Sequence, residues 1–221
     1  QAKATKLTQD ERLWVLDYAA SNPDAKIRYH ASGMVLYIHS DASYLSETRG
    51  RSRAGVLFFL STSPTDPTAP PLTIPPLNGR VHTVSKILDV VVGSAAKAEI
   101  AGTYLNAQDA VSLRTTLQEL QHPQPPIPMQ ADNTTAASFA NQTMKQKRSK
   151  AMDMRFHWIK DRVRQKQFLV YYRPGITNLA DPFTKHHSPT NMRLMRSKFL
   201  QPSSSNLAHT AYSHLVRGLS L

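Results

Sequence analysis

Hydrophobic and polar positions change period along the chain, and the changes mark its elements. Between residues 8 and 20, Leu13, Trp14, Leu16, Asp17, Tyr18 and Ala19 mix apolar and polar faces. They predict a helix opened by Thr8, with Glu11 three residues on as a capping box, and stopped at Ser21-Asn22-Pro23-Asp24. Ile27 to His30 reads as a short edge strand. Met34 to Tyr44 (MVLYIHSDASY) runs apolar into His39-Ser40-Asp41 and predicts a first main strand over 34–41 that Asp41 closes. Ser46 to Arg53 reads as a hairpin connection turned by Gly50. Ala54 to Ser61 is apolar enough to be buried on both faces. Ser63 to Pro76 holds six of the 15 prolines, which excludes helix and central strand and predicts a protruding loop.

A third strand lies within Arg80–Val92, ending in Val90-Val91-Val92. Ser94 then caps a long helix, about 95–121, in which Ile100, Tyr104, Ala107 and Val111 share a face and Leu113, Leu117 and Leu120 extend it. Ile127 to Gln130 is a short fourth strand leading into Asp132-Asn133, where a second helix starts. A third helix begins at Ser149 with Met152, Phe156, Ile159 and Val163 as its core stripe, and His157 on that helix reads as structural. Phe168 to Arg173 is the fifth strand, Asn178 to Lys185 a short helical entry, and Asn191 to Phe199 one more helix. Three meandering strands followed by two helix-connected strands predict an α/β fold: a five-stranded mixed sheet flanked by helices. No internal repeat is present.

Composition narrows the partner. The chain has 221 residues and no cysteine, which excludes disulfides and cysteine-based zinc sites. No apolar run is long enough to span a membrane. The first residue is Gln1, and no signal-peptide pattern follows, so the chain reads as a piece of something longer. Net charge is +12, and the Lys145–Lys166 segment alone supplies +7 of it. A surplus this local favours a polyanion, most often nucleic acid.

Against that charge stand few acids, and four of them share one kind of position. Asp41 closes the first strand, Glu99 lies one turn inside the long helix, Asp132 follows the fourth strand, and Asp181 sits where the chain enters a helix after the fifth. Each has an ordinary explanation alone: Asp41 as a turn residue facing water, Asp132 and Asp181 as N-caps, Glu99 as a first-turn acid favoured by the helix dipole. Right-handed crossovers place such positions together at one end of a sheet. Clustered carboxylates repel one another, and hard divalent cations such as Mg²⁺ remove that repulsion. Two such ions roughly 3.5–4 Å apart make a phosphodiester-cleaving arrangement.

The ordered segments HSDASY, GSAAKAEIAGTY, ADNTTAASFAN, RSKAMDMRFHWIKDRV and YYRPGITNLADPFTK closely resemble the RNase H domain of copia-type LTR retrotransposon polyproteins, over about residues 30–190. The resemblance implies an RNase H-like fold for 31–190, with 63–80 as a proline-rich insertion loop and 191–221 as a helical tail. It implies that 1–30 is the helix connecting the domain to an upstream reverse transcriptase. It implies that Asp41, Glu99, Asp132 and Asp181 bind two Mg²⁺ ions, with Mn²⁺ as a substitute, and cleave the RNA strand of RNA–DNA hybrids. The sequence departs from cellular relatives in carrying no histidine between Pro174 and Asn178.

A hybrid is read through backbone shape and 2′-hydroxyls. Arg49, Arg51, Arg53, Lys145, Lys147, Arg148 and Lys150 are candidates for its phosphates, and Ser43, Ser94 and Asn133 for its RNA strand. The implied setting is intracellular: a cytoplasmic virus-like particle or the nucleus, or an organelle for a domesticated copy. Two alternatives remain at this level. One is a DNA-cutting integrase or resolvase of the same fold. The other is a domesticated, non-catalytic RNA-binding subunit of a larger ribonucleoprotein assembly.

Overall fold

A computed structural model describes residues 4–64, 66, 68–71, 75–141 and 154–200 of the chain. Residues 29–192 form one compact unit, and the described parts of 1–28 and 193–221 form another.

The larger unit is built on one long strand. β1 (Val35–Glu47) continues well past Asp41, so Asp41 lies inside the strand instead of closing it. Antiparallel pairing with β2 (Arg51–Ser61) sustains that length, running from Val35↔Ser61 to Ser43↔Arg53. The hairpin connection is only Thr48–Gly50, so Arg51 and Arg53 belong to β2. β3 (Arg80–Ile87) pairs antiparallel with β2. The Val90–Val92 run expected to end it lies outside any strand. The Ile27–His30 edge strand does not form either; Tyr29 and His30 are instead tied to the backbone of Arg80 and the side chain of Asn78.

β4 (Ile127–Ala131) and β5 (Phe168–Tyr172) run parallel to β1 on its other side, giving the order β3-β2-β1-β4-β5. β1 and β4 pair only at Ile38↔Met129 and His39↔Gln130, beyond Pro128, which has no N–H to give. Ahead of that point the Gln124 side chain acts as the missing strand. Its Oε1 accepts from Leu36 N (3.0 Å) and its Nε2 donates to Met34 O (2.8 Å).

Strand alternation sorts β1 into two faces. Leu36 and Ile38 join Val56, Phe58, Met129 and Val170 in the main core. Three helices contribute to the same core: α2 (Ala95–Glu119) through Ala107, Ala110 and Leu117, α3 (Thr134–Ala140) through Ala137 and Ala140, and α4 (Met154–Arg164) through Ile159. Each large side chain so buried is worth about 1.5–3 kcal/mol. Ser40, on this face, receives Asn106 Nδ2 from α2 at 2.8 Å.

The odd positions face the opposite way. Tyr37 stacks on Phe59, and His39 meets Phe59 edge-on. Beyond them the face is covered by the segment after β5 and not by a regular helix. Leu179 N donates to His39 Nδ1 at 3.1 Å, and Ser85 Oγ donates to Phe183 O at 2.6 Å. Asp41 therefore points toward residues 180–185.

Two local expectations change on α1 and α4. α1 (Lys6–Ser21) is capped by Thr5 with Thr8 as the reciprocal partner, not by Thr8 with Glu11. His157 is exposed on α4, which removes the core role expected for it. In the smaller unit α1 has no buried residue, Arg196 of α5 (Pro189–Phe199) lies over the Tyr18 ring, and Met195 is buried. No described helix is long and apolar enough to cross a membrane.

Candidate active site

Three of the four acids converge. Asp41, Asp132 and Asp181 each present a carboxylate oxygen within 4.8 Å of the other two. Alternation brings Asp41 from the centre of the sheet. Asp132 follows directly on β4. There Asn133 takes the cap of α3, its Oδ1 accepting from Thr135 N and Ala136 N, so the Asp132 carboxylate is not spent on capping. Gly175 keeps the approach open: a Cβ there would lie 3.1 Å from Asp132 Oδ2. Asp181 opens the 3₁₀ turn Asp181–Phe183, for which Ala180 is the N-cap, and Pro182 follows at a favoured early position.

Glu99 stands beside this trio, just outside it. Past the last β1–β4 pair the N–H of Ala42 has no strand partner, and Glu99 Oε1 accepts from it at 3.2 Å. The residue is 6% exposed and its Oε2 has no hydrogen-bond partner among the described residues. Burial, then the charges of Asp41 and Asp132, push the Glu99 carboxyl up to about 9. Burial is also the main cause that raises Asp41 to about 6. The Thr184 hydrogen bond and Lys185 oppose that rise, and Asp132 and Asp181 add to it.

The cluster is partly neutralised from within the chain. Lys185 Nζ lies 2.5 Å from Asp181 Oδ1 and 3.4 Å from Asp41 Oδ1. Burial alone would lower the Lys185 ammonium, but its hydrogen bond to Asp181 and the charges of Asp41, Asp181 and Asp132 outweigh burial and push it upward. Thr184 Oγ1 donates to Asp41 Oδ2. On the outer side, His187 Nε2 is 2.6 Å from Asp181 Oδ2, while its Nδ1 faces Asn191 Nδ2 at 2.8 Å. The asparagine amide nitrogen can only donate, so Nδ1 accepts and the imidazole proton lies on Nε2, close to the carboxylate but not aligned for a hydrogen bond with it. None of Thr184, Lys185 and His187 was among the residues expected from sequence. The signal was the TK pair three and four residues after Asp181, with His187 close behind.

The donor set suits a hard divalent cation: clustered carboxylates, two of them driven up by burial and mutual charge, and a buried Glu99 oxygen left without a partner. Beside it lies a cleft of about 610 Å³ lined by Arg53, Ser85, Phe183, Lys185 and His186.

Of the six expected nucleic-acid contacts among the described residues, Arg53, Ser43, Ser94 and the capping Asn133 are engaged in the fold. Arg53 Nε is 2.6 Å from Glu47 Oε1, and its Nη1 donates to Ser85 Oγ. Ser43 Oγ bonds the Ser46 hydroxyl and accepts from Arg53 N; Ser94 Oγ caps α2. Arg49 adopts a left-handed turn conformation (φ 61°) and Arg51 is half-buried. Lys145, Lys147, Arg148 and Lys150 lie outside the described residues, as do Ser149 and Met152.

The sheet is mixed and ordered β3-β2-β1-β4-β5, antiparallel on one side of β1 and parallel on the other, with acids gathered beside β1 and β4, which is the α/β architecture expected from the sequence. The chain is similar in sequence to a retrotransposon Pol polyprotein. It is 25% identical over 173 residues to the retrovirus-related Pol polyprotein from transposon TNT 1-94 of Nicotiana tabacum, a match that covers 78% of this chain and 12% of that protein. No family model matches it. Among solved structures it is similar to LC11-RNase H1 isolated from compost (TM-score 0.47, 15% identity, 68% of this chain and 93% of that one). It is likewise similar to the N-terminal RNase H domain of rv2228c from Mycobacterium tuberculosis (TM-score 0.45, 15% identity, 68% and 91%). The prototype foamy virus protease-reverse transcriptase is matched over 68% of this chain and 20% of its own (TM-score 0.38, 16% identity).

Proposed function

We propose that this chain is a divalent-metal-dependent ribonuclease H that cleaves the RNA strand of RNA–DNA hybrids, acting beside a reverse transcriptase carried on the same polyprotein. One observation carries the reading: Asp41, Asp132 and Asp181, 140 residues apart from first to last (181 − 41), present their carboxylates to a single point. The Pol homology supports the setting, since such a polyprotein must remove the RNA from the hybrid its polymerase makes. It also motivates a virus-like particle or nucleus as the place of action.

Asp41, Asp132 and Asp181 would hold Mg²⁺, or Mn²⁺ in its place, and Glu99 Oε2 would complete the set. Bound there, such ions supply an activated water and stabilise the leaving oxygen. The chain's own residues do the rest. Thr184 orients Asp41, His187 lies close against Asp181, β1 and β4 fix the spacing of Asp41 and Asp132, and Glu99 ties the cluster to the backbone of Ala42. Burial of Asp41 keeps bulk water away from its carboxylate. The net charge of +12 favours a polyanionic substrate and steep salt dependence of binding.

The test uses labelled RNA–DNA hybrid, duplex DNA and duplex RNA with Mg²⁺, against wild type and Asp132→Asn. Cleavage confined to the hybrid and lost in the variant is expected. Cleavage of duplex DNA would point to an integrase or resolvase. Tight binding with no cleavage would point to a non-catalytic RNA-binding subunit.

A further inference from the structure

Lys185 has no role in the chemistry outlined above, yet its ammonium stands in the middle of the acids. Three features make this a built arrangement. The turn that carries Asp181 also carries Lys185, because Thr184 N and Lys185 N both donate to Asp181 O at 3.1 Å and fix the loop. The ammonium spans two carboxylates from separate elements, Asp181 Oδ1 and Asp41 Oδ1. Its side chain is 42% exposed and lines the 610 Å³ cleft, whereas the Asp41 side chain it touches is fully buried. A rotamer change therefore withdraws the charge without moving the backbone.

We propose that Lys185 is a built-in counter-cation: it holds the metal-free acid cluster together, and divalent ions must displace its ammonium to enter, so it weakens their binding. The inference rests on the metal-site reading of Asp41, Asp132 and Asp181. The physical ground is charge exclusion. A monovalent ammonium at 2.5 Å from one carboxylate and 3.4 Å from another occupies the region a dication would share. Two cations at such spacing repel strongly in a poorly hydrated site. Binding of one is thus linked to release of the other, and removing the lysine must act on both. Without it the metal-free fold bears unrelieved repulsion between Asp41 and Asp181. With metal present the competitor is gone. A lysine that merely packed against the loop would lower stability in both states and leave metal affinity alone.

The experiment titrates Mn²⁺ by calorimetry into the EDTA-stripped full chain at fixed pH and salt, with wild type, Lys185→Met and Lys185→Arg. Thermal melts are recorded with and without metal. Lys185→Met is expected to bind Mn²⁺ about tenfold tighter or more, within the usual range of linked sites. It should melt lower than wild type without metal and recover most of the difference with it. Lys185→Arg, which keeps the charge, should bind Mn²⁺ like wild type. Equal or weaker Mn²⁺ binding by Lys185→Met overturns the proposal while leaving the metal site intact. A wild type that takes up no Mn²⁺ at millimolar concentration overturns the metal-site reading first, and this inference with it. Should Lys185→Met be unfolded without metal, Lys185→Gln is titrated with Mn²⁺ and followed by circular dichroism. Folding at Mn²⁺ concentrations below the wild-type Kd supports the proposal, and failure to fold at saturating Mn²⁺ sinks it.

Discussion

Gly55 lies directly against Thr184: a Cβ added to the glycine would sit 2.7 Å from Thr184 Cγ2, with Phe183 Cβ at 2.9 Å and Ala180 O at 3.1 Å. The close approach lets the Asp181–Phe183 turn settle on β2 and places the Thr184 hydroxyl on Asp41. Gly55→Ala should therefore cost about 1–3 kcal/mol, as overpacking does. It should weaken Mn²⁺ binding as well, because the turn must lift. Chemical denaturation and a Mn²⁺ titration of the same preparation check both parts, and wild-type values in both would refute the packing argument.

Asn178 fixes that turn from its other end. The residue is fully buried, its Nδ2 donates to Ser40 O at 2.8 Å, and its Oδ1 accepts from Ala180 N at 3.1 Å. Asn178→Ala leaves a buried carbonyl and a buried N–H unpaired, a loss of about 1–3 kcal/mol for each group left without a partner. Lower denaturant tolerance is expected together with reduced hybrid cleavage at saturating Mg²⁺. Full activity in a destabilised variant would show that Asp181 does not depend on this anchor.

His187 should matter through Asp181 alone. With its Nε2 2.6 Å from Asp181 Oδ2, it bounds the position of the carboxylate as outer partners of metal ligands do. His187→Ala is expected to weaken Mn²⁺ binding about 10- to 100-fold with little change in melting temperature. His187→Gln, which can still donate, should recover part of the loss. Unchanged affinity in the alanine variant would remove His187 from the site.

Stability of the metal-free protein should fall as pH rises. Glu99 is pushed up to about 9 and Asp41 to about 6, so the folded chain keeps protons that the unfolded chain has already released. Where the folded state binds more protons, unfolding becomes easier with increasing pH. The window runs from the ordinary carboxylate range to about 9. Lys185, shifted upward, stays charged throughout and adds no slope. In EDTA, melting temperature should drop across that window, with Glu99→Gln flattening its upper part. A melting temperature that climbs instead would contradict the burial argument.

Much of this arrangement was legible in the order of apolar runs. The buried β2, the long α2 with its Ser94 cap, and Asp132 directly after β4 follow from periodicity and capping chemistry. The edges were not legible. β3 is a polar edge strand whose residues are all half-buried or exposed, so the more apolar Val90–Val92 run looked the better strand although Val91 is 67% exposed. The continuation of β1 through Ala42 and Ser43 depends on cross-strand partners in β2, which no local pattern announces. Thr5 and Thr8 are equally good caps by type, and only the reciprocal bond between them decides. Arg53 read as a free cation because its partner Glu47 comes close only through the hairpin register. Lys185 was overlooked for the opposite reason: a lysine after a turn reads as solvated until its two carboxylates are seen beneath it.

The order in which the polypeptide is made gives the dispersal of the acids a temporal meaning. Asp41 emerges early, but Asp181 must wait for β5 and then for the 178–184 segment to seat on His39 and Ser40. A nascent or truncated chain ending anywhere before that segment holds an unfinished set of carboxylates. Whatever the centre acts upon is safe from it until the domain is whole.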